Sequence, residues 1–350
     1  MVYRYQEWKV LFLKEQVYFG TYTKKESKGI YSAFLDTQKV EVSTPTLSVA
    51  VQKPTNLTIV GDTLLTIAQS DQLGGIASYD VSESEDTLID DVLEKGPNPC
   101  YVAYDAKRNL IFSANYHTAQ IKVYRLEPDK TLKLCDTVTH FGFGPKKEQQ
   151  SSHIHYTDLT PDGRLVAVDL GNDTVVTYDV TDKGKITPVA LLKLPAGFGP
   201  RHLVFSPKGT KAYLVGELSS QVAVLDYDQK SGEFSLGKIY KTIPEDFDDH
   251  NGAAAIKLSS DGKFLYISNR GHNSLVVFKV LEDSLELIQH VTTYGDFPRD
   301  FALDPTEEYV LVANQNTNDA FLYTRDNETG KLACCQKNIP LPEGVCVYFK

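Results

Sequence analysis

The sequence predicts an all-β protein, a seven-bladed β-propeller of four-stranded antiparallel blades. Three observations carry this. A strand–turn–strand cassette recurs along the chain, two further strand-like runs follow each copy, and no stretch sustains a 3.6-residue period.

The clear copies read CYVAYDAKRNLIFSANY, HYTDLTPDGRLVAVDLG, HLVFSPKGTKAYLVGEL, AIKLSSDGKFLYISNRG and FALDPTEEYVLVANQN. Their turns begin at Asp105, Thr160, Ser206, Ser259 and Asp304, 45 to 55 residues apart. A weaker copy, NLTIVGDTLLTIAQSD, begins near Asn56, and a degenerate first copy surrounds VYFGTYTKKESKGIYSAFLD. Runs such as QIKVYRLEPDKTLKLCD supply the outer strands, with polar clusters at their turns. Valine, isoleucine, tyrosine and phenylalanine alternate with polar residues, as in half-buried strands. A pair of β-sandwiches would space its strands regularly but would not repeat this cassette. Four strands per repeat make a propeller blade.

Seven repeats fill residues 17–350 as one domain. Closure then pairs the N-terminal VYFGTYT with the C-terminal GVCVYF, which satisfies edges a radial array would otherwise expose. Residues 1–16 fall outside the repeat, as an added arm or the product of a start codon placed too far upstream.

Composition narrows the function classes. The 350 residues carry 36 basic and 46 acidic side chains, a formal net charge of −10. Clustered lysine and arginine are what phosphate backbones require, so no nucleic-acid partner is expected. Aromatic residues at 11% exclude a disordered chain. The apolar cluster Val10–Leu13 sits between Lys9 and Lys14 without a cleavage site, and no run nears the roughly 18 apolar residues of a span. No membrane partner is expected, and a cytoplasmic location is. Cys100, Cys135, Cys334, Cys335 and Cys346 lack CxxC spacing and are expected to be reduced thiols. Nothing in the sequence sets the oligomeric state.

The cassette also has a geometric consequence. Strands one and two of a blade are antiparallel, so the residues before the first and after the second share one end of the blade. Strand one lines the channel, so both positions crowd one channel mouth. Before strand one come His153 and His155, Arg201 and His202, and Arg299 and Asp300. After strand two come Asn115, Tyr116 and His117, then Asp169, Glu217, Asn269, Arg270, Asn314 and Gln315. The opposite turns, TPDG, SPKG and SSDG, are ordinary solvated turns.

The asparagines and Asp169 either face this mouth or cap backbone amides. His153 and His155 alternate, so both are expected on one face of an extended segment. Three guanidiniums beside one channel repel unless an anion or carboxylates compensate them, and Glu217 can partner one of them. A small anionic substrate is the expected partner. GFGP occurs at Gly142–Pro145 and Gly197–Pro200, the second copy leading into Arg201; FGFGPKKEQQSS is expected to form a rim or lid. GxSxG, HExxH and a P-loop are absent. Oxygen ligands at Glu217, Asp169 and the asparagines could suit Ca²⁺ or Mg²⁺, but the arginines count against it, and no metal is expected.

The set FGTYT, EQQSSHIH, DLG, GFGPRH, GEL, SNRG and PRDF resembles the seven-bladed lactonase family, over about residues 17–350 and in order. That family holds propeller-type 6-phosphogluconolactonases and fungal carboxymuconate-lactonising enzymes. The resemblance implies a cytosolic, cofactor-free enzyme that hydrolyses 6-phosphoglucono-δ-lactone to 6-phosphogluconate in the pentose phosphate pathway. The family's His, Arg, Glu, Arg pattern falls on His153 or His155, Arg201, Glu217 and Arg270. Arg299, Asn115, Asp169, His202, Asn269 and Asn314 are the expected substrate contacts, with Arg299 for the phosphate. Glu217 or the histidine pair is the expected base, and Arg201 or Arg270 the oxyanion donor. The alternatives are carboxymuconate cyclisation and a non-catalytic scaffold.

Overall fold

The computed structural model describes residues 14–82 and 86–350, whose strands form seven antiparallel sheets set in a ring. Six sheets are four-stranded meanders in chain order: blade II over 57–95, III over 101–139, IV over 154–193, V over 200–241, VI over 252–292 and VII over 298–340. Blade I is composite. The C-terminal strand Gly344–Phe349 is its innermost strand and pairs antiparallel with Lys14–Thr21. Gly29–Asp36 follows, with Glu41–Val42 and Thr46–Ala50 both paired to it. The expected closure of chain end on chain start is therefore present. Its first strand begins at Lys14, so residues 14–16 belong to blade I and not to a preceding arm; residues 1–13 of that arm lie outside the described residues.

The core is seven apolar clusters, one at each blade–blade interface. Val17, Phe19 and Leu35 of blade I pack with Leu311 and Leu322 of blade VII, so the interface across the chain ends is as apolar as the others. Second strands are buried on both faces, unlike the half-buried pattern expected. Along Thr63–Ser70, Leu64 and Ala68 face blade I while Leu65 and Ile67 face blade III. Neighbouring blades cover both sides of such a strand, so both of its faces are apolar. Outer strands such as Glu233–Lys241 are largely exposed.

The inner strands carry a further device. In blade IV, Ile154 pairs with Asp169 and Tyr156 with Val168, leaving His155 as the extra residue of a bulge. The same break leaves out Arg201 in blade V and Arg299 in blade VII. In blade VI it leaves out Ala254 and Ala255. A bulge interrupts the period-two alternation and re-aims the extra side chain. It therefore decides which residue at the head of each inner strand turns to the channel.

Glu343, in the turn before the C-terminal strand, ties the chain ends together a second time. Its carboxylate accepts backbone hydrogen bonds from Lys24 (2.9 Å), Lys25 (2.9 Å) and Ser27 (3.2 Å). Its own amide donates to Asn318 Oδ1. Glu343→Ala leaves three amides without their charged acceptor. Stability should fall by about 2 kcal/mol. Hydrogen exchange at Lys24, Lys25 and Ser27 should accelerate while the blade strands stay protected; unchanged exchange there would show that Glu343 does not hold the loop.

Candidate active site

Inner-strand heads and second-strand tails meet at one end of the ring, around a cavity of about 360 Å³. The heads supply Thr55, Cys100, His155, Arg201 and Arg299, one from each of blades II, III, IV, V and VII. The tails supply Tyr22, Tyr116, Glu217 and Arg270. Lys24, Lys53, His202 and Asp300 also line it.

Arg201 and Arg270 are 3% and 5% exposed and share one carboxylate oxygen. Arg201 Nε is 3.0 Å and Arg270 Nη2 is 2.9 Å from Glu217 Oε2. The Arg201 Nε–H is not aligned on that oxygen and makes no hydrogen bond. The inner strand of blade VI lends its carbonyls: Arg201 Nη1 donates to Ala254 O (2.7 Å) and Arg270 Nε to Gly252 O (3.1 Å). The bulge at Ala254 thus serves the site through its backbone. Among the described residues, Arg299 has no carboxylate within 4.0 Å and stands over the Tyr22 ring at 5.3 Å. In all, five cations and two carboxylates line the cavity, a formal excess of three positive charges on a chain whose net charge is −10.

The electrostatics follow. Burial alone would raise the Glu217 carboxyl, but Arg270 and then Arg201 overcome it and hold it at about 2. Glu217 is therefore a fixed anion and a poor proton acceptor. Burial, then the charges of Arg270 and Arg299, push the Arg201 guanidinium down to about 9 against the pull of Glu217. Its positive charge is under-compensated, and an arriving anion would relieve it. Burial, then Arg201, hold His155 well below 6.5, so its imidazole is neutral at pH 7. His155 Nδ1 and His202 Nε2 are buried without hydrogen-bond partners, and the two rings lie 5.1 Å apart. Burial raises the Cys100 thiol to about 11, so it is protonated and no nucleophile.

The GFGP segment before Arg201 is held by Asp173, which accepts from Gly197 N and Gly199 N, each at 2.8 Å. Gly199 has φ +59°, and a Cβ there would lie 2.3 Å from Leu218 Cγ, so only glycine fits. The FGFGPKKEQQSS segment, expected at the rim, does not line this cavity: its Lys146, Lys147 and Glu148 line a neighbouring groove that shares Glu217 and Arg270, and Lys146 Nζ donates to Leu218 O at 2.6 Å.

Several expected residues lie elsewhere. His153 does not line the cavity: its ring stacks on Tyr116 at 4.2 Å and its Nδ1 donates to Tyr116 O. The bulge at His155 separates the faces of the two histidines, which simple alternation had placed together. Asn115, Asp169, Asn269 and Asn314 are also outside the lining, in turn networks. Asn115 bonds Pro97 O and the amides of His117 and Thr118. Asp169 accepts from the amides of His153 and Gly171. Asn269 and Asn314 donate to Thr242 O and Thr293 O, each the first residue after its outer strand. Thr55, Cys100, Tyr22, Lys24 and Lys53 were not anticipated. A readable signal existed for two of them: Pro54-Thr55 and Pro99-Cys100 repeat the proline that precedes Arg201 and Arg299. Among the described residues no group of three or more His, Cys, Asp or Glu could hold a metal, and no helix is long and apolar enough to cross a membrane.

Residues 16–349 match the family model described as lactonase, 7-bladed beta-propeller. A crystal structure of a Lactobacillus plantarum protein superposes with a TM-score of 0.95 at 52% identity, covering 96% of this chain and 99% of that one. The 6-phosphogluconolactonase of Bacillus subtilis is 39% identical over 95% of this chain and 97% of its own length. The periplasmic gluconolactonase of Pseudomonas aeruginosa has a TM-score of 0.89 at 29% identity, covering 96% and 99%.

Glu217→Gln should expose the charge imbalance directly. Removing the shared counter-ion leaves two buried guanidiniums in mutual repulsion, at a cost of about 3 kcal/mol. Because the folded-state carboxyl is depressed, the wild-type advantage is full above the ordinary value of 4.5 and shrinks as pH falls toward 2. Denaturant titration of both proteins across pH, with and without sulfate, checks this. Sulfate should recover part of the loss in the variant; equal stabilities at neutral pH would contradict the pairing.

Proposed function

The chain belongs to the seven-bladed β-propeller lactonase family, and on that premise we propose that it hydrolyses 6-phosphoglucono-δ-lactone to 6-phosphogluconate in the cytoplasm, as a step of the pentose phosphate pathway. The observation that carries the reading is the buried pair Arg201 and Arg270 on a single carboxylate, with Arg299 unpaired among the described residues beside them. Such a mouth suits a small anion whose reacting carbonyl becomes an oxyanion.

In this reading the lactone carbonyl oxygen lies between Arg201 and Arg270. Neutral His155 takes a proton from a water as the water oxygen bonds to the carbonyl carbon. The charges that depress His155 are partly those of the arginines, so an oxyanion forming beside them raises its proton affinity as the proton moves. The tetrahedral intermediate collapses with cleavage of the bond to the ring oxygen. His155 returns its proton to that oxygen, and the new carboxyl group ionises. Glu217 takes no proton; it holds both guanidiniums in place. Arg299 holds the phosphate. Neither His153 nor Cys100 has a chemical role.

The Pseudomonas relative supports a second reading, in which the unphosphorylated gluconolactone is the substrate.

Arg201→Ala and Arg270→Ala test the assignment. Each should lower kcat/KM on 6-phosphogluconolactone by about 100-fold or more, after subtraction of spontaneous hydrolysis. Wild-type kcat/KM in both variants would overturn it.

A further inference from the structure

The cavity is electrically lopsided. At the Glu217 side, two cations share a carboxylate and draw on three backbone carbonyls of blade VI. At the opposite side stand Arg299, Lys24 and Lys53, none with a carboxylate within 4.0 Å among the described residues. Lys24 Nζ lies 4.0 Å and Arg299 Cζ 5.3 Å from the centroid of the same Tyr22 ring. Two cations gathered on one ring face an electrostatic cost that an anion would remove.

The backbone under these lysines is fixed. Thr23 and Lys53 both adopt left-handed conformations, φ +49° and +51°, and Lys53 N donates to Thr23 Oγ1 at 3.0 Å. A non-glycine residue in that region is held there by its surroundings, and two in contact at one cavity edge make a pre-organised rim. Glu343 pins the other end of the loop through the amides of Lys24, Lys25 and Ser27.

A second set of lysines offers itself for comparison. Lys146 and Lys147 line a groove on the far side of Glu217 and Arg270. Lys146 Nζ is already bonded to Leu218 O, and Lys147 Nζ is 3.5 Å from Glu148. Each of these ammonium groups already has a polar partner, whereas Lys24 Nζ and Lys53 Nζ have neither a hydrogen bond nor an ion pair among the described residues.

We propose that Lys24 and Lys53 complete, with Arg299, a subsite for the phosphate monoester of the substrate, and that they set preference for a phosphorylated over an unphosphorylated sugar acid or lactone. The inference rests on reading the cavity as a phosphorylated-lactone site. It also orients the substrate: the phosphate lies toward Lys24 and Lys53 at the meeting of blades I, II and VII, and the lactone carbonyl toward blades V and VI.

Calorimetric titration with two inert products, 6-phosphogluconate and gluconate, tests this without turnover. Wild type should bind 6-phosphogluconate more tightly. Lys24→Met/Lys53→Met should lose about tenfold or more of that preference, a charge-assisted contact being worth this much. Lys53→Arg, which keeps the charge, should retain most of it, and Lys146→Met/Lys147→Met should leave it unchanged. Circular dichroism verifies that each variant is folded. No preference in wild type, an undiminished preference in the Lys24/Lys53 variant, or a loss that follows Lys146/Lys147 instead would overturn the proposal. A wild type that shows the lysine-dependent preference yet hydrolyses no lactone would sink the lactonase reading and leave the subsite standing.

Discussion

Two buried guanidiniums share one carboxylate at the channel mouth, and the other features of the site are arranged around that shortage of negative charge. Desolvating a cation is expensive, and one carboxylate cannot offset two of them. The fold meets part of the cost with the carbonyls of Gly252 and Ala253 and with that of Ala254, a residue that the register break in blade VI leaves unpaired. Burial first, and then the charge left uncompensated, depress both Arg201 and His155. In the proposed mechanism both effects prepare the mouth for an anion: the arginine gains by meeting one, and the histidine becomes a better base when one forms.

This chemistry depends on a ring. No single blade could assemble it, since its residues run from Tyr22 to Val345 along the chain. Radial sheets bring every strand head to one axis, and bulges choose which side chain is presented. The chain ends are closed twice, by the strand pairing of blade I and by Glu343 gripping the loop that carries Tyr22 and Lys24. The cationic side of the cavity sits at that closure, so its geometry is only as firm as the closure.

The blades were readable because each repeats one cassette, and antiparallel pairing alone placed heads and tails at one mouth. Arg201, Glu217, Arg270 and Arg299 followed from that reasoning. Three things did not. Alternation put His153 beside His155, because a bulge of one residue leaves no mark in the hydrophobic pattern. Asn115, Asp169, Asn269 and Asn314 occupy the right strand ends, but their side chains turn back to backbone groups, and composition cannot distinguish a cap from a ligand contact. Lys24 and Lys53 sit on loops whose position depends on partners such as Glu343, more than 300 residues from Lys24 in sequence. Local sequence holds no trace of such a contact.

In the proposed function, under-compensated positive charge at one channel mouth selects a small dianionic lactone. The most direct measurement is the ratio of wild-type kcat/KM for 6-phosphogluconolactone to that for gluconolactone, followed across ionic strength. The expected ratio is well above one and falls as salt rises, the outer lysines being the more screened. A ratio near or below one at every salt concentration would contradict it.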